Sequence, residues 1–237
     1  MPADSSRCPR WAGLIAGLLP PAVAVCESTA RPPAGAPGLF PAEEAALGTA
    51  GPQRRAEFAA GRSCARTALA RLRVTAGPIL PGPAGEPQWP AGVTGSITHC
   101  AGYQAAAVAR TGDVAAIGID AEPDAGLPAG LIEKIATGPE RAWISRHAAV
   151  PPAAARPTVC WDRLLFSAKE AACKLWYPLT GRWPGYHHAA IGLATTGTFT
   201  VRMPGPGPAI GDGPPTSMTG RWLAADGLII TAIAWAP

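Results

Sequence analysis

The chain has 237 residues, of which 48% are hydrophobic, so it can bury the core of one large domain or two small ones. Its 28 glycines and 28 prolines exclude a helical bundle or long uninterrupted strands, and its eight tryptophans argue against extensive disorder. The formal net charge of +4 is a mild excess that suits anionic small molecules or acidic proteins better than nucleic acid.

The N-terminal segment has features of a secretory signal, because Arg7 and Arg10 precede an apolar run at 11–19. Two consecutive prolines at 20–21 break that run, and no apolar run is long enough to span a bilayer. The cysteines are scattered and include no C-x-x-C pair, as their positions show: Cys8, Cys26, Cys64, Cys100, Cys160 and Cys173. This pattern favours a reducing compartment over a disulfide framework, so we expect a cytoplasmic protein that does not enter the membrane.

The first half begins with a proline- and glycine-rich loop at 31–41, after which Glu43 and Glu44 open a short predicted helix. Residues 54–73 have apolar positions at helical spacing and predict an amphipathic helix. The other side of this helix carries a stripe of arginines, namely Arg55, Arg62, Arg66 and Arg73. The stripe has three interpretations: a solvated face, a nucleic-acid surface, or a docking site for a phosphorylated cofactor. Aromatic residues for base stacking are sparse here, so cofactor phosphate is the better functional interpretation.

Two predicted strands follow, at 95–100 and 114–122, separated by a predicted helix of small residues at 102–110. The first strand ends in Thr98 and His99, a hydroxyl and an imidazole at a sheet edge where ligands often bind. A lone histidine is more often structural than functional, so the strand end alone decides nothing.

The second half begins with a connection at 123–128. Thr137 is the predicted cap of a helix that starts at Pro139, and a proline-rich linker at 150–157 follows. Residues 161–176 predict a long helix stopped by the Tyr177-Pro178 pair. Predicted strands at 191–201 and 221–235, around a loop at 204–215, complete an antiparallel element.

Carboxylates at the end of the second predicted strand favour a metal site. Asp120 and Glu122 are two residues apart, so both project from the same strand face, about 6–7 Å apart at the backbone. Oxygen ligands of this kind suit Mg²⁺, which keeps waters and substrate oxygens in its shell, and Glu170 is the candidate third ligand. The alternative is a solvated strand end.

Lysine is scarce in this chain, and two of its three lysines bracket Glu170 in a tight cluster, Lys169-Glu170 and Lys174. Ammonium groups are compact charges suited to phosphate oxygens, so the cluster favours phosphate chemistry. The alternative is an ordinary surface ion pair between Glu170 and Lys174, which are four residues apart. The sequence has no nucleophile elbow, P-loop or dinucleotide fingerprint, and its histidines and cysteines lack zinc-ligand spacing.

Three blocks of the sequence together resemble the 4′-phosphopantetheinyl transferases of the monomeric surfactin/enterobactin-synthetase type. In chain order they are Gly95-Ser-Ile-Thr-His99, Gly118-Ile-Asp-Ala-Glu122 and Phe166-Ser-Ala-Lys-Glu-Ala-Ala-Cys-Lys174. The resemblance covers about residues 54–186 and resumes at 220–222. It implies an α+β fold of two similar halves related by a pseudo-twofold axis, with the active site in the cleft between them. We therefore expect an N-terminal half at 1–117 and a C-terminal half at 118–237.

The resemblance also implies roles for individual residues. Asp120, Glu122 and Glu170 would hold Mg²⁺, with Mn²⁺ as an alternative, on the diphosphate of coenzyme A. Phosphate charge would be neutralised by Lys169 and Lys174, and Glu170 would be the base. The remaining coenzyme A contacts would come from Thr98 and from a 3′-phosphate site formed by His99, Arg62 and either Arg54 or Arg55.

The implied reaction transfers 4′-phosphopantetheine from coenzyme A to a serine of an apo acyl or peptidyl carrier protein and releases 3′,5′-ADP. Metal clamping and cationic stabilisation suffice for this chemistry, and the partner supplies the nucleophile. The chain departs from its relatives at Pro81, where they often have lysine, and at Cys173, where an aromatic residue is common. Two alternatives remain open: a non-catalytic coenzyme A- or carrier-binding protein of the same fold, and a basic nucleic-acid-binding module. The carrier could belong to fatty acid, polyketide, nonribosomal peptide or siderophore synthesis.

Overall fold

A computed structural model describes residues 13–29, 38–100, 102–149, 159–203 and 217–236. The first half contains a short 3-10 helix (Ala16–Leu18), β1 (Ala24–Ser28), α1 (Pro41–Leu47), α2 (Pro52–Arg71), β2 (Val93–Cys100) and β3 (Tyr103–Arg110). The second half contains β4 (Ala116–Pro123), α3 (Leu131–Ile135), α4 (Gly138–Ala148), α5 (Trp161–Thr180), β5 (Ala190–Ala194), β6 (Thr198–Arg202), β7 (Met218–Ala225) and β8 (Leu228–Trp235).

The strands form two antiparallel sheets. The first sheet has the order β1-β3-β2 and the second has the order β4-β8-β7-β6-β5. Helix α2 packs on the first sheet around Ala65, Ala68 and Leu69, and α5 packs on the second around Leu164, Ala168 and Leu175. The chain therefore has the predicted α+β fold with two halves, while the exact division at residue 117 stays a prediction.

The two sheets meet at the edges of β2 and β4 through side-chain hydroxyls rather than a backbone ladder. The amide of Ile119 donates to the Ser96 hydroxyl at 3.2 Å, and the amide of Ala121 donates to the Thr98 hydroxyl at 3.0 Å. Both hydroxyls are buried, so they satisfy edge amides that would otherwise lack a partner. This junction places Asp120 on β4 directly beside β2.

A buried glutamate at the third position of α1 organises the first half. Glu43 is fully buried and accepts hydrogen bonds from the amides of Phe40 and Ile79, both at 2.9 Å. The guanidinium of Arg66 on α2 pairs with the same carboxylate at 3.0 Å. One carboxylate thus caps α1, binds α2 and fixes the loop at Ile79.

The second half repeats this arrangement with different residues. Glu140, at the third position of α4, accepts from the amides of Thr137 at 2.7 Å and Ile191 at 2.8 Å. The ammonium of Lys169 on α5 pairs with it at 2.9 Å. No repeat is visible in the residues themselves, yet the two halves use the same buried contacts, which supports the pseudo-twofold relation.

The predicted helix at 102–110 is wrong, because these residues form β3. The alanines that favour a helix lie instead in the central strand of the first sheet, where Ala105 and Ala107 pair with both neighbouring strands and are fully buried. Small side chains allow α2 and the second half to pack on opposite faces of the strand. Tertiary packing therefore overrides the intrinsic preference of alanine.

Other boundaries also differ from the predictions. Helix α5 does not stop at Tyr177-Pro178 but continues through Pro178 to Thr180 and ends at Gly181, whose φ of 64° permits the left-handed cap. The predicted strand regions at 191–201 and 221–235 each contain two strands joined by a hairpin turn. The linker at 150–157, the loop at 204–215 and most of the loop at 31–41 lie outside the described residues.

The apolar N-terminal run contributes to the core. Ile15, Leu18 and Leu19 are buried against β3, β4 and β8. The carboxylate of Glu27 on β1 accepts from the amides of Gly13 at 2.8 Å and Ile15 at 3.0 Å, which ties the segment to the first sheet. In the part of the chain that the structure describes, no helix is both long and apolar enough to cross a membrane.

Candidate active site

A cavity of about 430 Å³ lies between the two halves. One side is formed by α1, α2, β2 and the loop at 81–87, and the other by α5 and the exposed Trp183. The titratable side chains that line it are Arg54, Glu57, Arg62, Glu86, His99, Glu170 and Lys174, together with Tyr177. The cavity thus combines carboxylates and cations drawn from both halves.

Gly118 explains how α5 brings its charged residues to β4. A Cβ atom at this position would lie only 1.9 Å from the carbonyl oxygen of Ala171, so any larger residue would push the helix off the strand. Because the backbones approach closely, the ammonium of Lys174 reaches the Asp120 carboxylate at 2.6 Å. The glycine of the Gly118-Ile-Asp segment is therefore required for this contact.

Asp120 is the centre of a polar cluster that is joined to the cavity through Lys174, which lines it. Its Oδ1 accepts from Lys174 and, at 3.2 Å, from the hydroxyl of Thr98. Its Oδ2 is buried and makes no hydrogen bond with any described residue. Burial alone would lower the pKa of Lys174, but the carboxylates of Asp120 and Glu170 outweigh that effect and raise it. The lysine is therefore held in its charged form beside an unpartnered anionic oxygen.

The other two predicted metal ligands each have a partner of their own. Glu122 pairs with Arg163 at 2.8 Å, and Glu170 accepts a hydrogen bond from the hydroxyl of Tyr186. Burial and the negative charge of Asp120 raise the pKa of Glu122, and they also raise the pKa of Glu170 against the opposing charge of Lys174. The charge of Asp120 thus acts on both of the other carboxylates.

The donor chemistry of these carboxylates fits a hard cation such as Mg²⁺. The buried, unpartnered Oδ2 of Asp120 is the observation that favours one, because an orphaned anionic oxygen is costly unless a ligand satisfies it. Within the described ranges, however, no three His, Cys, Asp or Glu side chains are grouped closely enough to hold a metal ion. The set Asp120, Glu122 and Glu170 is not preassembled and stays a prediction.

A second polar group lies on the α2 side of the cavity. Arg54 and His99 both line it, and the Arg54 guanidinium lies 3.4 Å from the Nε2 atom of His99. Partial burial lowers the pKa of His99, and the positive charges of Arg54 and Lys174 act in the same direction. An anion that enters here would meet one permanent cation and one imidazole able to gain a proton.

Known proteins resemble the chain over most of its length. The 4′-phosphopantetheinyl transferase Svp of Streptomyces mobaraensis is 48% identical over 223 residues, which is 93% of this chain and 89% of Svp. The 4′-phosphopantetheinyl transferase PptT of Mycobacterium tuberculosis is 43% identical over 93% of this chain and 97% of PptT. The corresponding enzyme Npt of Nocardia iowensis is 45% identical over 83% of this chain and 89% of Npt. Residues 42–109 match the model of the 4′-phosphopantetheinyl transferase N-terminal domain, and residues 116–220 match that of the superfamily.

The chain belongs to the 4′-phosphopantetheinyl transferase superfamily. The predicted family is therefore confirmed, and so is the enzyme class. The two family models cover separate segments, and these segments carry the two sheets, apart from β1, β8 and most of β7, which lie outside the matched residues.

In this transferase Lys169 does not face the cavity. Its side chain is fully buried, and its ammonium donates to Glu140 at 2.9 Å and to the carbonyls of Tyr186 at 2.8 Å and Ala189 at 2.7 Å. An ammonium has three donors, so all three are in use. The geometry does not support the predicted role of Lys169 on phosphate or in catalysis, whereas Lys174 lies where that role requires.

Two other residues of the transferase, Thr98 and Arg55, also lie away from the contacts predicted for them. Thr98 is 2% exposed, and its hydroxyl is occupied by Asp120 and the Ala121 amide, so it positions β4 rather than the cofactor. Arg55 pairs with Glu44 and does not line the cavity.

Arg62 lines the cavity but is committed to the protein. Its Nε donates to the carbonyl of Ile79 at 2.7 Å, and its guanidinium lies 4.0 Å from the Phe58 ring centre. Desolvation lowers its pKa to about 10, and the charges of Arg54 and Arg66 add to that effect. Arg55, Arg62 and Arg66 thus all have partners within the transferase, whereas Arg73 is exposed beyond the end of α2.

Sequence reasoning missed the segment after α5. Trp183 is 47% exposed at the cavity, and the Tyr186 ring packs against it and against Phe166. The sequence did contain a signal for this segment, because Trp183 and Tyr186 are two aromatic residues in a turn with proline and glycine directly after α5.

Proposed function

We propose that this transferase moves 4′-phosphopantetheine from coenzyme A to the serine hydroxyl of apo acyl or peptidyl carrier proteins, with 3′,5′-ADP as the leaving group. The observation that supports this most strongly is the cavity between the halves, which has Glu170 and Lys174, the latter paired with Asp120, on one side and Arg54 with His99 on the other. This distribution matches a ligand with two separate phosphate groups.

On the α5 side, Asp120, Glu122 and Glu170 are the residues that would hold Mg²⁺ or Mn²⁺. Such an ion would supply charge neutralisation for the diphosphate of coenzyme A. The ammonium of Lys174 would donate to a diphosphate oxygen, since it is charged and lies beside Asp120 at the cavity wall. Phosphoryl transfer depends chiefly on such positioning and charge stabilisation.

At the α2 end, Arg54 and His99 would bind the 3′-phosphate. Arg62 supports them indirectly, because it holds the carbonyl of Ile79 ahead of the cavity loop at 81–87. Pro81 lines the cavity where a relative would place a further cation.

The nucleophile comes from the carrier protein, which explains the absence of a serine nucleophile motif in the sequence. Glu170 is the proposed base, acting directly or through water. Burial raises its pKa, which makes its carboxylate a stronger proton acceptor than an exposed glutamate. The net charge of +4 favours encounter with the acidic recognition helix typical of carriers. We further propose that the enzyme is a cytoplasmic monomer.

The test incubates the purified protein with coenzyme A, Mg²⁺ and a panel of apo carrier proteins and reads the intact carrier mass. We expect one phosphopantetheine increment on at least one carrier, lost with Glu170→Gln and retained with Glu133→Gln, a matched change on the exposed helix α3. Coenzyme A binding is measured separately by calorimetry. Binding without an increment on any carrier would contradict the proposal.

A further inference from the structure

The hydroxyl of Tyr186 is hydrogen-bonded to Oε1 of Glu170, the residue proposed as base and metal ligand. The phenol is the donor, and the carboxylate is partly buried in the cavity wall. A carboxylate at the end of a glutamate side chain has three rotatable bonds, so a fixed donor on one oxygen restricts its orientation. Oε2, which accepts no hydrogen bond from a described residue, is left for a ligand.

Both the backbone and the ring of Tyr186 have partners within the protein. Its backbone carbonyl accepts a hydrogen bond from the buried ammonium of Lys169 at 2.8 Å, and the same ammonium donates to the carbonyl of Ala189 at 2.7 Å. Its ring lies between Phe166, with centroids 6.0 Å apart, and Trp183, with centroids 6.3 Å apart in an edge-to-face arrangement. Contacts to both its backbone and its ring therefore restrict where the phenol can lie.

Lys169 and Glu170 are consecutive on α5 and point in different directions. Lys169 fixes the backbone of Tyr186, and Glu170 receives its hydroxyl. Because both contacts come from one turn of α5, they fix the position of the Tyr186 segment relative to Glu170. None of these contacts requires a metal ion.

We infer that Tyr186 is a positioning residue for Glu170: its phenol holds the carboxylate in the orientation used during phosphopantetheine transfer. This inference rests on the proposed function of the site. It also gives Lys169 a role, since the lysine anchors the tyrosine that orients the neighbouring glutamate.

The test is Tyr186→Phe, which keeps the ring and removes only the hydroxyl. A hydrogen bond to a charged group is strong enough that we expect about a ten-fold fall in kcat, with KM for coenzyme A changed less than about two-fold. Mn²⁺ binding in the presence of coenzyme A but without carrier, measured by electron paramagnetic resonance, should weaken in the same variant. In a Glu170→Gln background, Tyr186→Phe should produce no additional change in Mn²⁺ binding.

Tyr103→Phe is the matched control, because it also removes a buried phenol–carboxylate contact, to Glu27 at 2.7 Å, but outside the cavity. We expect it to lower the unfolding temperature and leave kcat unchanged. The inference is overturned if Tyr186→Phe keeps wild-type kcat and Mn²⁺ binding, or if its effects persist undiminished with Glu170→Gln. If the wild type itself transfers nothing, the proposed function fails instead. The free energies of unfolding of Tyr186→Phe, Glu170→Gln and the double variant then still show whether the two side chains are coupled.

Discussion

The variant Lys169→Met removes the buried ammonium from α5 while keeping an unbranched side chain. In the wild type this ammonium is fully buried and neutralises Glu140, whose side chain is 5% exposed. The change leaves Glu140 buried without a counter-charge and leaves two carbonyls, of Tyr186 and Ala189, without their donor.

Loss of one partner from a buried ion pair costs about 3–5 kcal/mol. Since stabilities of natural domains are only about 5–15 kcal/mol, this is a large fraction of the total. For a chain of this size, each kcal/mol shifts Tm by about 2–4 °C, so we expect Tm to fall by about 6–20 °C.

Thermal unfolding followed by tryptophan fluorescence measures the shift. Arg66→Met is the matched variant, because Arg66 neutralises the equivalent Glu43 in the first half and should show a similar loss. Adding Glu140→Gln to Lys169→Met removes the unpaired charge but keeps an acceptor for the amides of Thr137 and Ile191. The double variant should therefore recover part of the lost stability.

A different outcome would refute this reasoning. If Lys169→Met unfolds within about 1 °C of the wild type while transfer at low temperature collapses, the ammonium acts on the substrate and the role expected from the sequence is correct. If instead Tm falls and the folded protein retains transfer with an altered kcat, Lys169 acts through the segment that it anchors.

Three further predictions concern the α2 end of the cavity. Burial lowers the pKa of His99 in the free protein, so the imidazole is mostly neutral near pH 7. A bound phosphate favours its protonated form. Coenzyme A should therefore bind with proton uptake, and its affinity should fall as pH rises from about 6 to 8. Calorimetry in buffers of different ionisation enthalpy measures the uptake, which should disappear with His99→Gln and with 3′-dephospho-coenzyme A; equal uptake for both ligands would contradict the assignment. Arg54→Gln should raise KM for coenzyme A about ten- to hundred-fold in the mass-based transfer assay. Arg55→Gln, which loses the pair with Glu44 and hydrogen bonds to the carbonyls of Gly48 and Ala50 but does not line the cavity, should raise KM much less. Pro81→Lys should tighten coenzyme A binding and leave 3′-dephospho-coenzyme A unaffected in the same calorimetry, and equal gains for both ligands would show that the added charge does not reach the 3′-phosphate.

Helix periodicity places the two lysines of α5 on different faces of the helix, and this difference could be read from the sequence. Glu170 and Lys174 are four residues apart and share one face, whereas Lys169 is rotated by about 100° from Glu170. Lysine scarcity correctly singled out the segment as important, but it did not distinguish a lysine that meets substrate from one that neutralises a buried glutamate. Only the position of α4 supplies that distinction, because Glu140 lies 29 residues earlier in the chain.

The metal carboxylates and Thr98 show what local patterns can and cannot provide. Alternation along β4 correctly placed Asp120 and Glu122 on one strand, since period-2 geometry is local. The function of Thr98 depends on which strand lies beside β2, and β4 reaches that position through a sheet junction made by hydroxyls. The β3 strand was missed for the same reason: its alanines are explained by packing on both faces rather than by their own preference.

The two buried glutamates explain how a symmetric scaffold carries an asymmetric site. Glu43 with Arg66 fixes Ile79, which leads into the cavity loop at 81–87, and Glu140 with Lys169 fixes the segment that leads from Trp183 to Ile191. Each ion pair thus holds one wall of the cavity at an equivalent point of its half. The chemistry on those walls differs, with cations and an imidazole on α2 and β2, and a carboxylate with a lysine on α5. Because the walls are fixed by contacts away from the cavity, its lining residues are free to diverge, as the proposed division requires: one half would bind the 3′-phosphate and the other would support transfer.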